Sequence, residues 1–325
     1  MQRGELTGQL VKHLTSTSAV EREIAILAYR DAVPEEIFNE LIKILAVSDE
    51  TSDVRETAIE EVRRSGLPGG LPVLKRIVDD PSKTKREREL AFQSATDISV
   101  APDADQAQVV LASGSGIAPH SRERGSVFAT AVLKGIKGAA ADADGNVSIR
   151  DLYAFVEDES LLYGIRPSFF GKNLEPEPLP LVSRKSFYDS ILGVVVAVSD
   201  YPTLENLPGA ASDAASFHDV ITSSWKRTTP DVDVRLLTNG EATRGQVLEA
   251  LRDVGESSQP GSLFIFYFSG HAQLDPFGDL ILVTHDFDKT PHFGLRWSDI
   301  NEVGTRARLR VVFLDAEHST MAGLK

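Results

Sequence analysis

SLFIFYFSGHA, Ser262–Ala272, and LRVVFLDAEHS, Leu309–Ser319, are the two stretches on which the fold turns. Each begins as a near-continuous apolar run and then breaks into polar residues, Ser269-Gly270-His271 in one and Asp315-Ala316-Glu317-His318-Ser319 in the other. Short apolar runs rich in aromatic and β-branched residues read as strands buried on both faces, and such strands belong to parallel sheets. Open parallel sheets meet their ligands at the carboxyl ends of the strands. Both clusters are therefore expected on the same rim. A His and a carboxylate at neighbouring strand ends make a candidate general acid–base pair, with the ionised carboxylate favouring the imidazolium. A rim histidine with its hydrogen bonds satisfied is the plainer reading, and at this point both stand.

Outward from these strands, the last third of the chain alternates strand and helix. ILGVVVAVSD, DVRLLTN and DLILVTHD read as strands; GAASDAASFHDVITSSW, TRGQVLEALRDVGESS and RWSDINEVGTRA read as helices. That order implies a mostly parallel sheet with helices on both faces. Upstream, QVVLAS reads as a buried strand, SRERGSVFATAVLKGIKGA as a helix, and NVSIRDLYAFVEDES as a turn followed by a helix, while the proline-containing residues 164–190 read as an extended connector. Residues 1 to about 97 differ in kind. Apolar residues recur there at helical spacing between Ser, Thr, Asp, Pro and Gly signals, giving about six short helices whose pairing looks like a HEAT-like hairpin array, with a plain helical bundle as the alternative.

Composition bounds the function. The formal net charge of -14 disfavours a nucleic-acid backbone or an anionic membrane as the main partner and would steer a basic one. The longest apolar run, Ile191–Val198, is far short of the roughly 20 residues that span a bilayer, and the first residues lack a signal-peptide core, so a cytoplasmic protein is expected. The chain has no cysteine, which excludes disulfides, thiolate metal sites and a cysteine nucleophile in this chain.

FYFSGHA followed by VVFLDAEHS resembles the caspase-like cysteine peptidases, especially the metacaspase branch, whose strands end in Ser-Gly-His and Asp-Ala-Cys-His-Ser-Gly. VVVAVSDYPTLENLPGAASDAASF is similar to that family's first strand and the Asp-bearing turn after it. The resemblance implies a caspase-like α/β fold. It sets His271 on the catalytic histidine, Glu317 on the nucleophile position, and Asp213, Ser269 and Asp315 on positions lining the first specificity pocket. Two carboxylates there imply Arg or Lys as the favoured P1 residue. A glutamate cannot replace the thiolate's attack on an amide, so the family reaction is not expected of this chain. Beside His271 it would keep the pairing of charges without the chemistry. Ala272 and Thr320, where the family has glycines, favour natural drift over a deliberate inactivating substitution, and both origins stand.

The family continues past its nucleophile strand into a smaller subunit, and residues 108–182 resemble the small subunit of bacterial caspase-like proteins, with the segment through EPLPLV as its final strand. A circular permutation is expected, with strands 108–113 and 310–315 as neighbours, because a large-subunit half alone would leave a sheet edge and an apolar face uncovered. The expected divisions are a helical repeat domain at 1–100, a small-subunit-like half at 101–182, a linker at 183–190 and a large-subunit-like half at 191–325. Two incomplete copies, or a chain truncated at Lys325, are the alternatives.

Three other motifs are discounted. Adjacent residues on a strand point to opposite faces, so Glu317 and His318 do not converge with His271 on a metal. DADGNVSIRD, Asp142–Asp151, fits a calcium loop poorly, with Ala140 and Asp151 at key ligand positions, and reads as an Asp-rich turn capping a helix. GAASDAAS lacks the glycine spacing and lysine of a phosphate loop. No cofactor is expected. Three functions follow: an inactive caspase-like domain that binds a basic peptide, or a protein partner on its repeats; a trapped variant of an active Arg/Lys-specific cysteine endopeptidase, which the family resemblance associates with bacterial defence or cell-death pathways; or a structural adaptor using the helical repeats.

Overall fold

A computed structural model describes residues 3–28, 34–99, 107–113, 125–172, 174, 180–183, 185, 187–225, 228–229, 231–288, 294–303 and 306–318. The chain divides into two units, one of Met1–Ala101 with Leu274–Leu280 and the other of Pro102–Gln273 with Ile281–Lys325.

The first unit contains, among the described residues, six α-helices: α1 (Arg3–Leu14), α2 (Ala19–Leu27), α3 (Glu35–Ala46), α4 (Ser52–Ser65), α5 (Leu71–Asp79) and α6 (Lys85–Ser99). Local chemistry sets their ends. Ser18 caps α2 by accepting the Glu21 N–H, and Gly66 ends α4 with φ of 66°, a left-handed turn that costs glycine no side-chain clash. Consecutive helices pair, α1 with α2, α3 with α4 and α5 with α6; α1, α3 and α5 also touch in sequence, as do α2, α4 and α6. Two layers of helices result, with Leu41, Val54, Ala58, Ile59, Val62 and Leu74 buried between them.

The second unit is built on an eight-stranded sheet among the described residues. Its main path runs β3 (Ser168–Lys172), β1 (Ala107–Ala112), β10 (Leu309–His318), β7 (Ser262–Leu274), β5 (Ser190–Ala197), β6 (Asp231–Thr238). From β1 to β6 the pairs are parallel, while β3 runs antiparallel to β1. Two short strands, β8 (Leu280–Leu282) and β9 (Leu295–Arg296), extend the sheet from β7, and β2 (Val147–Ser148) pairs with β4 (Pro180–Val182) in a separate ribbon. The fold is therefore mixed α/β with a mostly parallel sheet and a helical N-terminal region.

Alternation along the strands explains the layers. Val109 and Leu111, Val311 and Phe313, Ile265 and Tyr267, and Ile191 and Val195 share one face and pack with Phe128 and Val132 of α7 (Val127–Lys134), Leu152 and Val156 of α8 (Ile149–Leu161), and Phe217 and Ile221 of α9 (Ala210–Trp225). On the other side, α10 (Arg244–Ser257) lies against β5 and β6 and touches α11 (Trp297–Asn301). Both faces are covered, so the strands are apolar throughout.

The sequence expectations need three corrections. Residues 164–190 are not only connector: Ser168–Lys172 forms the edge strand β3, which a single turn of alternation and an internal glycine conceal. The EPLPLV segment ends in β4, which pairs with β2 instead of joining the main sheet. The DADG turn does not itself cap α8; Asp142 accepts the N–H groups of Asp144 and Asn146, each at 2.9 Å, and the cap is Ser148, which accepts the Asp151 N–H. Among the described residues no helix is long and apolar enough to cross a membrane, and no group of three or more His, Asp or Glu residues is placed to hold a metal ion.

Candidate active site

Because β1, β10, β7 and β5 are parallel neighbours, their carboxyl ends share one rim, and each run of buried apolar residues delivers its polar successors there. The register puts Asp315 beside Ser269, Ala316 beside Gly270, Glu317 beside His271 and His318 beside Ala272. The two polar clusters are thus adjacent, as expected from their place after the apolar runs. The side chains of Glu317 and His318, and all of Ser319 and Thr320, lie outside the described residues.

Asp315 and Ser269 are buried, and the Ser269 hydroxyl donates to Asp315 Oδ2 at 3.4 Å. Asp213 comes from the first turn of α9 and is also buried. Its Oδ2 accepts the backbone N–H of Ser126 at 2.7 Å, and Ser126 in turn caps α7 by accepting the Ala129 N–H. A carboxylate at a helix N-terminus is favourably placed against the exposed N–H groups. Gly125 makes this approach possible: it holds φ of +73°, and a Cβ on it would fall 2.1 Å from Asp213 Oδ1.

Tyr267 lies on β7 two residues before Ser269. Its side chain is fully buried and stacks on Phe217 at 4.4 Å between ring centroids. Burial pushes the phenol well above its ordinary pKa, and the charges of Asp315 and Asp213 push it in the same direction. One buried hydroxyl thus feels both acidic side chains. Sequence reading missed it, because a tyrosine inside an apolar run reads as core.

His271 is buried on the neighbouring position. Its Nε2 lies 2.8 Å from the Glu205 carbonyl, its backbone N–H donates to the Tyr201 hydroxyl at 2.8 Å, and its carbonyl accepts the Val283 N–H at 2.9 Å. Gly270 is required by this arrangement, since a Cβ there would fall 2.5 Å from the Tyr201 hydroxyl. From the other side of β10, Ser113 at the end of β1 donates its N–H to the Leu314 carbonyl at 2.7 Å and accepts the Ala316 N–H on its hydroxyl at 3.2 Å. Tyr201, Glu205 and Ser113 carried no sequence signal, because two of them act through groups that any residue or any serine would supply.

The rim therefore gathers Asp315, Ser269 and His271 on adjoining positions of β10 and β7, all three buried. Residues 192–322 match the family model described as the caspase domain. No curated protein sequence matches the chain. Among solved structures, the protein GSU0716 from Geobacter sulfurreducens is similar over 41% of this chain and 53% of its own, at 17% identity and a TM-score of 0.32. The chain thus spans about half the length of that protein, and a likeness at this score carries no argument. What carries weight is that the family match covers α9, β7 and β10 together, with the Ser-Gly-His and Asp-Ala-Glu-His ends side by side: residues 192–322 form a caspase-like domain of the peptidase type.

Proposed function

We propose that this caspase-like domain binds a peptide through an arginine or lysine side chain and does not cleave it. The observation that supports this most directly is that two buried carboxylates come to this end of the sheet from different elements, Asp315 at the end of β10 and Asp213 in the first turn of α9, the helix that follows β5. A guanidinium bonds carboxylates through its fork of donors, and an ammonium does so as a point charge. The lack of cleavage follows from chemistry. The chain contains no cysteine, and position 317, in register with His271, carries a glutamate.

The parallel pairing of β1 with β10, Ala107 to Leu309 through Ala112 to Leu314, supports the permuted reading, in which residues 101–182 complete the sheet begun by residues 191–325. The layered pairing of α1–α6 supports a HEAT-like array as a second, protein-binding surface.

Titration calorimetry with short peptide amides carrying Arg, Lys or Glu at one position tests the binding: Arg and Lys peptides bind, the Glu peptide does not, and equal affinity for all three sinks the reading. Turnover of fluorogenic Arg and Lys peptides is absent in the chain as it stands. In Glu317→Cys, turnover rises from none to measurable and is lost again in the double variant with His271→Ala. Cleavage by the unaltered chain removes the claim of inactivity.

A further inference from the structure

The loop after β5 grips His271 at two points. The Tyr201 hydroxyl accepts the His271 backbone N–H at 2.8 Å and donates to the Val283 carbonyl at 3.3 Å. The tyrosine ring lies 4.8 Å from the imidazole, with the planes at 45°. Four residues on, the Glu205 carbonyl lies 2.8 Å from Nε2 of the same imidazole. A carbonyl can only accept, so Nε2 must carry the proton, and in the neutral ring Nδ1 keeps the lone pair. One short loop thus fixes the backbone, the plane and the tautomer of the histidine.

The loop is itself held. The Asn239 side-chain carbonyl accepts the backbone N–H groups of Ser199 at 2.8 Å and Asp200 at 3.1 Å, and Asn206 Oδ1 accepts the Tyr201 N–H at 2.9 Å. Among the described residues, Asn239 is the one non-glycine residue with positive φ, at 47°. Asparagine enters that region more readily than other side chains do, and such conformations persist where the surroundings over-determine them. Here the left-handed turn aims the amide oxygen at two N–H groups of the loop that carries Tyr201 and Glu205.

We propose that Tyr201 is a positioning residue for His271, and that Asn239, through the loop, is what keeps Tyr201 and the Glu205 carbonyl in place. The proposal rests on the reading above only in taking His271 as the site histidine. A role confined to packing would change stability and leave the imidazole's protonation pattern alone.

The test therefore reads the ring directly, in the full chain with ¹⁵N-labelled histidine, on the alkaline side of its titration. The His271 signals are those that disappear in His271→Gln. In the unaltered chain they report a single Nε2–H tautomer. Tyr201→Phe keeps the ring and removes the hydroxyl; the two nitrogen signals converge as the other tautomer becomes populated, and the titration midpoint shifts. Asn239→Gly keeps the left-handed backbone but drops the amide and gives the same change, while Asn239→Asp, which retains an acceptor oxygen, restores the single tautomer. A single tautomer unchanged in Tyr201→Phe, whatever happens to its Tm, overturns the proposal, as does a mixed or Nδ1–H population in the unaltered chain. If Tyr201→Phe does not fold, Asn239→Gly decides in the same way. Loss of peptide binding with these signals intact removes the binding reading and leaves this one standing.

Discussion

Both units of the chain bury charge, and they do so in different ways. In the helical unit, Arg55 of α4 and Glu87 of α6 are 3% and 1% exposed and bond each other. Further bonds hold the pair: Arg55 Nη2 donates to the Glu50 carbonyl at 2.9 Å, and Glu87 Oε2 accepts the Thr84 N–H at 2.7 Å. At the rim of the sheet, Asp213 and Asp315, 8% and 6% exposed, accept hydrogen bonds from neutral donors, the Ser126 N–H and the Ser269 hydroxyl. Opposite charges neutralise each other and fix two helices together. A buried carboxylate costs desolvation that a neutral donor offsets less than a cation does. The first arrangement is what a scaffold needs, and the second is what a binding site for a base needs.

The largest effect expected from this contrast is in the scaffold. Arg55→Met leaves Glu87 buried without its counter-charge and costs about 3–5 kcal/mol, read from urea unfolding and from faster amide exchange in α4 and α6. The pH dependence carries the same signature. Burial pushes the Glu87 carboxyl up, but the bonds from Arg55 and Thr84 outweigh it and hold the pKa below the ordinary value of 4.5. A depressed carboxylate contributes stability that is present above its unfolded pKa and lost as pH falls through the folded one. The unaltered helical unit therefore weakens on acidification below about 4.5, whereas in Arg55→Met burial is opposed only by the bonds from Thr84 and Ser52 and the same acidification weakens it less. A variant as stable as the parent at neutral pH would show that the pair is dispensable.

Next in size is Asp315→Asn. The amide oxygen still accepts from Ser269, so stability stays level or rises slightly, while affinity for an Arg peptide falls by about tenfold, near 1.4 kcal/mol. Binding that survives unchanged would move the recognition of the base away from this rim. Asp213→Asn behaves differently, because the Asp213 charge also lies in the first turn of α9, where a neutral amide gains less from the helix N-terminus, so its loss of affinity comes with a loss of stability.

How much of this was legible in the sequence follows from where the information sits. The strands β5, β7 and β10 were readable because a parallel sheet covered on both faces leaves continuous apolar runs, and the rim residues were readable as the points where those runs break. The small strand β3 was not, because five residues with a glycine and a lysine at an edge carry too little alternation to stand out from a connector. The grip on His271 escaped for another reason. Glu205 contributes a backbone carbonyl, which has no side-chain identity, and Tyr201 becomes meaningful only once β7 and the loop after β5 are adjacent. Asn239 left the faintest trace, an Asn-Gly pair after a strand; that signals a turn but not what the turn's side chain will hold.

The smallest effect sharpens the comparison most, because it uses the same residue type in the other unit. Arg310 of β10 is as buried as Arg55, at 2% exposed, but it sits 5.5 Å over the Phe264 ring and donates to the Ile300 carbonyl at the end of α11. Burial pulls its pKa down to about 10. For a base, a folded pKa below the unfolded one means that folding is opposed by the charge at every pH below about 10, and that the opposition fades as pH rises from there. Methionine keeps the stem's apolar contacts and removes the charge. Arg310→Met is therefore expected to leave stability at pH 7 level or raise it by about 1 kcal/mol, as replacement of buried charge by an apolar side chain often does. The same substitution thus has opposite expected signs at 55 and 310. Equal losses at both positions would mean that depth of burial alone governs, and the distinction between the two units' buried charges would fall.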